Sequence, residues 1–277
     1  MTKLFFPFLL CLLGFSSFSL AKDPPRYPGF GQGDTSPGAT SLPRGWELTA
    51  AAGAAHAPEY PGSEDYEAIF TPAVYAEYKQ KAFLVIDRQS MMAPYEGLGY
   101  KFIGNQIFSF GVNATYEPGR DATGRIAALD DIDATALGGI FAAYHPGAFY
   151  LRGQLGHDLL GEFDSYKGEI ATGVAGPLSP YWRGMIDISG AFAGDDYLQN
   201  YFGVTPGQSA ASGLAPYTAE AGLYRVAMAA TLQYQFDTGA FIQGIGRADH
   251  YVGDAGDSPI VAEDTNLTLQ GMIGYRF

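Results

Sequence analysis

The sequence predicts an all-β chain, an antiparallel up-and-down transmembrane β-barrel of about 12 strands, with about 10 as the alternative. Three observations lead there. Apolar and polar residues alternate with a period of two in segment after segment, the mark of strands with two different surroundings. Long and short connections alternate between the segments, as in an up-and-down barrel and unlike a Greek-key sandwich. The chain stops on Tyr275-Arg276-Phe277, with both aromatics on the apolar face of the last segment. In a membrane barrel that face meets lipid and the terminal aromatic joins the interfacial girdle.

The N-terminus predicts export. Met1-Thr2-Lys3 is a short positive region, 4–13 is apolar, and Ser19-Leu20-Ala21 is a small-x-small cleavage pattern. Residues 1–21 therefore read as a secretory signal peptide. The apolar run is too short to span a bilayer as a helix. Cys11 lies inside it and is the only cysteine, so the mature chain must be stable without disulfides. Residues 22–44 carry five Pro and four Gly with almost no apolar periodicity, and read as a flexible periplasmic lead-in. The formal charge of -13 excludes nucleic-acid binding by phosphate neutralisation. Abundant Gly, Tyr and Phe suit a barrel and a sandwich equally.

From residue 45 to 277 the alternating segments follow in order. They are expected over 46–55, 67–79, 82–86, 95–103, 106–116, 134–144, 148–157, 166–175, 182–192, 224–236, 240–250 and 266–277. The segment at 134–144 has small residues on both faces and gives no orientation. The segment at 224–236 alternates most clearly. Tyr224, Val226, Met228, Ala230, Leu232, Tyr234 and Phe236 are expected to face lipid, opposite Arg225, Thr231, Gln233 and Gln235. A sheet in a bilayer has to close, because open edges find no water to bond. An Arg or Lys facing lipid at mid-depth costs about 2–4 kcal/mol, so the charged faces turn inward. Glu47, Glu77, Lys101, Arg152, Glu169, Arg183, Asp187, Arg225, Arg247 and Asp249 then line a narrow or filled lumen. An even strand count leaves both termini on the periplasmic side of an outer membrane.

The connections hold the candidate chemistry. Residues 56–66 form a turn-rich first loop. In the longest connection, Thr205-Pro206 is an N-cap and first-turn pair, and the spacing predicts a short helix over 206–212 ended by Gly213. Tyr201, Phe202, Val204 and Leu214 are too apolar for a free external loop, and the segment is expected to fold over or into the barrel mouth. Four histidines, His56, His145, His157 and His250, are scattered. His157 and Asp158 are neighbours on a strand, so they point to opposite faces and make no dyad. No enzyme is expected, and no cofactor. The acidic loop clusters at Asp130, Asp131 and Asp133, at Asp195 and Asp196, and at Asp254, Asp257, Glu263 and Asp264 have no calcium-loop spacing, so no metal site is assigned.

Three blocks of residues resemble the MipA/OmpV family of MltA-interacting outer-membrane proteins, and the resemblance spans 45–277. The blocks are Pro58-x-Tyr60-x-Gly62-Ser63, Tyr116-x-Pro118-Gly119-Arg120, and Tyr201-Phe202-Gly203-Val204 with Ser212-Gly213-Leu214 and Tyr217. The resemblance implies a scaffold in the outer membrane between a murein hydrolase, an MltA-type lytic transglycosylase, and a murein synthase of the penicillin-binding protein class. Other members imply alternatives: a narrow porin-like channel, or an osmoregulated or adhesion-related protein. The expected surroundings are outer-membrane lipid and lipopolysaccharide. The barrel-assembly machinery is the expected partner during insertion, with Tyr275 and Phe277 as the assembly signal.

Overall fold

The computed structural model describes residue 42 and residues 44–87, 95–105 and 107–277. The expected signal peptide, nearly all of the lead-in and the link at 88–94 lie outside the described residues. The chain forms a closed antiparallel barrel in the order β1-β2-β3-β4-β5-β6-β7-β8-β9-β10-β11-β12, with β12 returning to β1. The strands are β1 Trp46–Pro58, β2 Tyr66–Tyr78, β3 Ala82–Asp87, β4 Gly97–Gly104, β5 Phe108–Glu117 and β6 Thr135–Tyr144. They continue as β7 Phe149–Asp158, β8 Tyr166–Pro177, β9 Trp182–Ala193, β10 Gly222–Gln235, β11 Ala240–Tyr251 and β12 Thr265–Arg276. Each expected segment is a strand, and the alternation of long and short connections holds. β1 and β11 run a little further toward the long-loop end than their apolar pattern reaches, because the loops there are tied down as well.

The seam is built by the last strand. β12 pairs β11 from Ala240↔Tyr275 to His250↔Thr265, and pairs β1 from Thr49↔Arg276 to His56↔Leu269. Beyond the ladder the Phe277 amide still donates to the Leu48 carbonyl at 3.1 Å. Every backbone group of a closed sheet can find a partner, which is the condition for lying in hydrocarbon.

Burial divides the faces as the charges demand. Leu267, Leu269, Ile273, Ile186, Ile188, Ile170 and Val174 are exposed on the outside. Glu77, Lys101, Asp187 and Asp249 are buried, and Arg152, Glu169, Arg225 and Arg247 are nearly so. β6, which the sequence could not orient, turns Leu137, Phe141 and Ala143 inward and Ile140 and Tyr144 outward. One residue departs from the expected register. Tyr224 points into the lumen at 4 % exposure, and Leu223 takes the lipid face. The cause is an irregularity in the β9–β10 ladder between Leu223 and Arg225, where an extra residue flips the side chain. A similar shift between Lys101 and Ile103 leaves both Phe102 and Ile103 facing outward.

The interior is filled in layers. Near the short turns, Tyr75, Phe83, Val85, Tyr95, Phe141, Tyr150, Met185, Phe241 and Met272 pack into one cluster, the floor. Phe83 and Phe141 meet edge to face at 5.4 Å between centroids. Two carboxylates of the floor are satisfied within it. The Glu77 carboxylate accepts from the Tyr75 hydroxyl, from Tyr95 Oη at 2.8 Å and from Lys101 Nζ at 2.8 Å. Tyr150 donates to Asp187 at 2.6 Å.

The barrel mouth and the chamber beneath it

Above the floor the lumen carries an ionic ladder. Glu169 is ion-paired with Arg152 at 3.3 Å and accepts from Arg225 at 2.9 Å. Arg225 also reaches Asp249 at 3.3 Å, and Arg247 reaches the same carboxylate at 2.8 Å. Lys167 Nζ bonds Glu117 at 2.7 Å. The residues come from β5, β7, β8, β10 and β11 because each sits at an inward position of its strand. Paired in this way they stand where unpaired charges would be expelled.

The mouth is closed by the long loops. Helix α1, Asp195–Phe202, begins after Gly194 and has Asp195 and Asp196 in its first turn, a favourable charge at a helix N-terminus. Its buried residues are Tyr197, Leu198, Tyr201 and Phe202, spaced as one helical face. That face packs with Phe163, Leu137, Tyr224 and Tyr251, so the inverted Tyr224 belongs to the plug. Tyr197 and Tyr201 stack at 4.5 Å between centroids. The Tyr197 hydroxyl donates to Glu117 at 3.0 Å and the Tyr201 hydroxyl to the Pro118 carbonyl at 2.8 Å. Burial, then the Glu117 carboxylate, pushes both hydroxyls above the ordinary tyrosine range, so they remain donors.

The three motif blocks meet here. Arg120 is 5 % exposed and donates from Nη1 to the Tyr201 carbonyl at 2.6 Å. Burial pulls its pKa down from the usual arginine value. Gly119 lies so close to the Ile132 carbonyl that a Cβ would sit 2.0 Å away. Gly203 ends α1, and a Cβ there would meet the Gln199 carbonyl at 2.4 Å. Val204 pairs with Tyr217 as an antiparallel bridge, its amide donating to the Tyr217 carbonyl at 2.8 Å. Tyr60, Ile126, Leu129, Val204 and Ile260 form the outermost cluster, with Leu214 and Tyr217 packed on it. Helix α2, Pro206–Ser212, has the expected bounds. Thr205 and Gln208 form a capping box, and Gly213 ends the helix in the left-handed region at φ 76°. The Ser212 hydroxyl donates to the Gln208 carbonyl at 2.7 Å and accepts from the Leu214 amide at 3.2 Å.

The first block is a clamp between distant loops. Gly62 donates to Asn266 Oδ1 at 2.7 Å, and Asn266 Nδ2 returns a bond to the Ser63 carbonyl at 2.9 Å. The Gly62 carbonyl accepts from Ala262 and Glu263. Gly62 has φ 86°, and a Cβ would strike Val261 at 2.7 Å. Thus Tyr60, Gly62, Ser63, Tyr201, Phe202, Gly203, Val204, Ser212, Gly213, Leu214 and Tyr217 all lie in the mouth. Tyr275 and Phe277 lie at the other end, their rings 5.0 Å apart. The sequence reading missed Glu117, Lys167 and α1 as parts of the site. The helical spacing of Tyr197, Leu198, Tyr201 and Phe202 was the available signal.

The histidines are dispersed. His157 is on the outer face while Asp158 is buried inside, accepting from Thr135 Oγ1 at 2.5 Å and from three amides of the next loop. His250 is exposed on the outside and contacts Thr265 Oγ1 at 2.9 Å. The acidic loop residues serve as ties. Asp130 accepts from Gln208 at 2.8 Å, Asp131 from the Ala122 amide at 2.7 Å, and Asp254 from the Glu220 amide at 2.7 Å. Among the described residues no group of three or more His, Cys, Asp or Glu could hold a metal ion.

Comparison with solved structures finds other outer-membrane barrels at low identity. An outer-membrane channel from Pseudomonas putida F1 is 9% identical with a TM-score of 0.43, over 86% of this chain and 97% of that one. A bacterial polysaccharide outer membrane secretin is 9% identical with a TM-score of 0.44, over 86% of this chain and 100% of the other. The channel DcaP of Acinetobacter baumannii is 7% identical with a TM-score of 0.36, over 84% and 96%. No curated protein sequence matches the chain. The profile of the family described as MltA-interacting protein MipA matches residues 50–277, which takes in the whole barrel except the first residues of β1. A closed barrel with an apolar outer belt and a mouth assembled from these three blocks is an outer-membrane barrel protein, and the chain belongs to the MipA family.

Proposed function

We propose that this barrel is a membrane-anchored scaffold that positions a murein hydrolase, a lytic transglycosylase of the MltA type, beside a murein synthase. The observation that carries the reading is the filled lumen. Phe83, Phe141, Tyr150 and Phe241 close one end at 2 % exposure or less, and Leu198 and Phe202 close the other at 1 %. A barrel packed at both ends offers surfaces rather than a path, which weighs against the channel reading. The family's name adds the class of partner.

The docking surface in this reading is the short-turn rim. It faces the periplasm, where murein lies, and both ends of the barrel chain emerge there, Trp46 opposite Tyr78 and Arg276 beside Thr49. The rim is rigid. Lys79 and Gln80 make the β2–β3 turn with φ of 49° and 56°, the geometry that matches the strand twist. Lys79 and Lys81 are exposed on it. The test pairs affinity capture from detergent-solubilised envelopes, with and without residues 22–44, with planar-bilayer recording of the purified barrel. Capture of a lytic transglycosylase by a non-conducting barrel is the expected result. Stepwise conductance with no murein enzyme captured would overturn it.

A further inference from the structure

The short turns are unequal in charge. Those between β4 and β5, β6 and β7, β8 and β9, and β10 and β11 carry no Lys or Arg. The β2–β3 turn carries Lys79 and Lys81 on either side of Gln80. Its backbone is fixed. The Lys81 amide donates to the Tyr78 carbonyl at 3.0 Å, and the Lys79 amide to the Gly45 carbonyl at 2.6 Å. Lys79 and Gln80 both take positive φ, where a side chain is disfavoured. Elsewhere on this rim Gly147 and Gly239 fill such positions. The chain therefore keeps two side chains at a turn that Asn-Gly would make with less strain.

The other described lysines are paired inside the barrel, Lys101 with Glu77 and Lys167 with Glu117. Lys79 and Lys81 are exposed, and their cations lie over rings instead. Lys79 Nζ is 5.0 Å from the centre of the Tyr78 ring, and Lys81 Nζ is 5.8 Å from that of Tyr100. Both rings stand on the lipid face. The register sets Ala82 between them, opposite Tyr78 on one side and Tyr100 on the other. A methyl group flanked by two large rings makes a shallow groove in the outer wall, with two cations at its water end. Ala76, Leu84 and Leu98 form the next outward row toward mid-depth. Neither row contains an acid, and Glu77, next to Tyr78, points inward to Lys101.

We infer that this groove binds one anionic glycerophospholipid. The phosphate sits between Lys79 and Lys81, and an acyl chain runs over Ala82, between the Tyr78 and Tyr100 rings, onto Leu84. Lysines at the edge of a membrane span extend to the headgroup level, where they attract anionic lipid. Here the two cations stand directly above an apolar groove, which fits a headgroup and its chain as one ligand. A zwitterionic choline headgroup would bring its own cation against the lysines. The choice of a glycerophospholipid rests on the short turns facing the periplasm, as proposed above. A purified barrel binds the lipid or does not whichever way it is inserted, so the site and that orientation can fail separately.

The test is native mass spectrometry of the detergent-released barrel with dioleoyl phosphatidylglycerol as the probe, against dioleoyl phosphatidylcholine and lipid A. Retention of a single phosphatidylglycerol, in preference to both comparison lipids, is the expected result. Lys79→Gln with Lys81→Gln should cut its occupancy by about tenfold, since each cation adds to the attraction for an anionic headgroup. Ala82→Trp fills the groove, leaves both lysines in place, and should cut occupancy as well. Heat-modifiable mobility reports whether each variant folds, and Ala82→Trp alone carries the test if the lysine variant does not. Asp237→Asn makes the β10–β11 turn less acidic at another place on the rim and should change nothing. Equal retention of phosphatidylcholine, preference for lipid A, undiminished binding by either folded variant, or a changed occupancy with Asp237→Asn would overturn the proposal.

Discussion

At the scale of single residues, Arg120 is the tie on which the mouth depends. Its guanidinium bonds the Tyr201 carbonyl at 2.6 Å and the Asp130 carbonyl at 3.4 Å, and so joins the β5–β6 loop to the end of α1. The carbonyl at the end of a helix has no intrahelical donor and needs one from elsewhere. Arg120→Met keeps much of the side-chain bulk but leaves a buried acceptor bare, at a cost of about 1–3 kcal/mol. The loss falls on the plug rather than on the sheet ladders. Residues 195–221 should become cleavable by added protease in the folded variant, while its heat-modifiable mobility stays that of wild type. A loss of the folded band without loop cleavage would contradict this division. Such ties could not be read from the chain. Arg120 stands in a motif block, but its partner lies far away in sequence and is a backbone atom, which no side-chain pattern announces.

At the scale of elements, the floor and the plug meet the same demand by different means. The floor is aromatic packing around one buried ion pair, Glu77 with Lys101, at 3 % and 6 % exposure. Removing one partner of such a pair costs about 3–5 kcal/mol, because the other is left charged and unsatisfied, whereas replacing both can be nearly neutral. Glu77→Leu should therefore lower the urea midpoint of the folded-to-unfolded gel transition well below that of wild type. Glu77→Leu combined with Lys101→Met should recover most of the difference. If the double variant is as weak as the single one, the Tyr75 and Tyr95 bonds to Glu77 matter more than the charge. The elements differed in how openly the sequence declared them. Most of the twelve strands were legible because one face is polar or charged and the other apolar, whereas β6, small on both faces, was legible as a strand but not in its orientation. α2 was legible from Thr205-Pro206 and Gly213, which carry cap geometry locally. α1 hid because its apolar face lies inside a connection, where buried aromatics can be read as any folded loop. Tyr224 misled for a related reason, since a bulge changes the face without interrupting the alternation on either side.

At the scale of the whole molecule, two closures in series determine whether the barrel conducts. Replacing 195–217 with a short Gly/Ser linker removes the upper closure but leaves Phe83, Phe141, Tyr150 and Phe241 beneath it. Phe83→Ala with Phe141→Ala loosens the lower closure but leaves α1 above. Each change alone should stay silent in planar bilayers, and the combination should give steady conductance. Conductance after loop replacement alone would mean that the floor is no barrier.

Neither closure exists until the cylinder does, and the cylinder depends on β12. This strand has β11 on one side and β1 on the other, so its register sets the register of the entire ring. Phe277 is 42 % exposed at the rim, its ring against Tyr275 and its amide on Leu48. Phe277→Ser keeps the amide bond but removes the aromatic from the lipid interface, where such rings anchor barrels. Inside the finished protein the ring touches neither the floor nor the plug. The loss should therefore appear as a lower level of folded barrel in the outer membrane, with the surviving protein normal in mobility, partner capture and loop protection. A variant present at wild-type level but altered in capture would place Phe277 in the docking surface instead of the assembly signal.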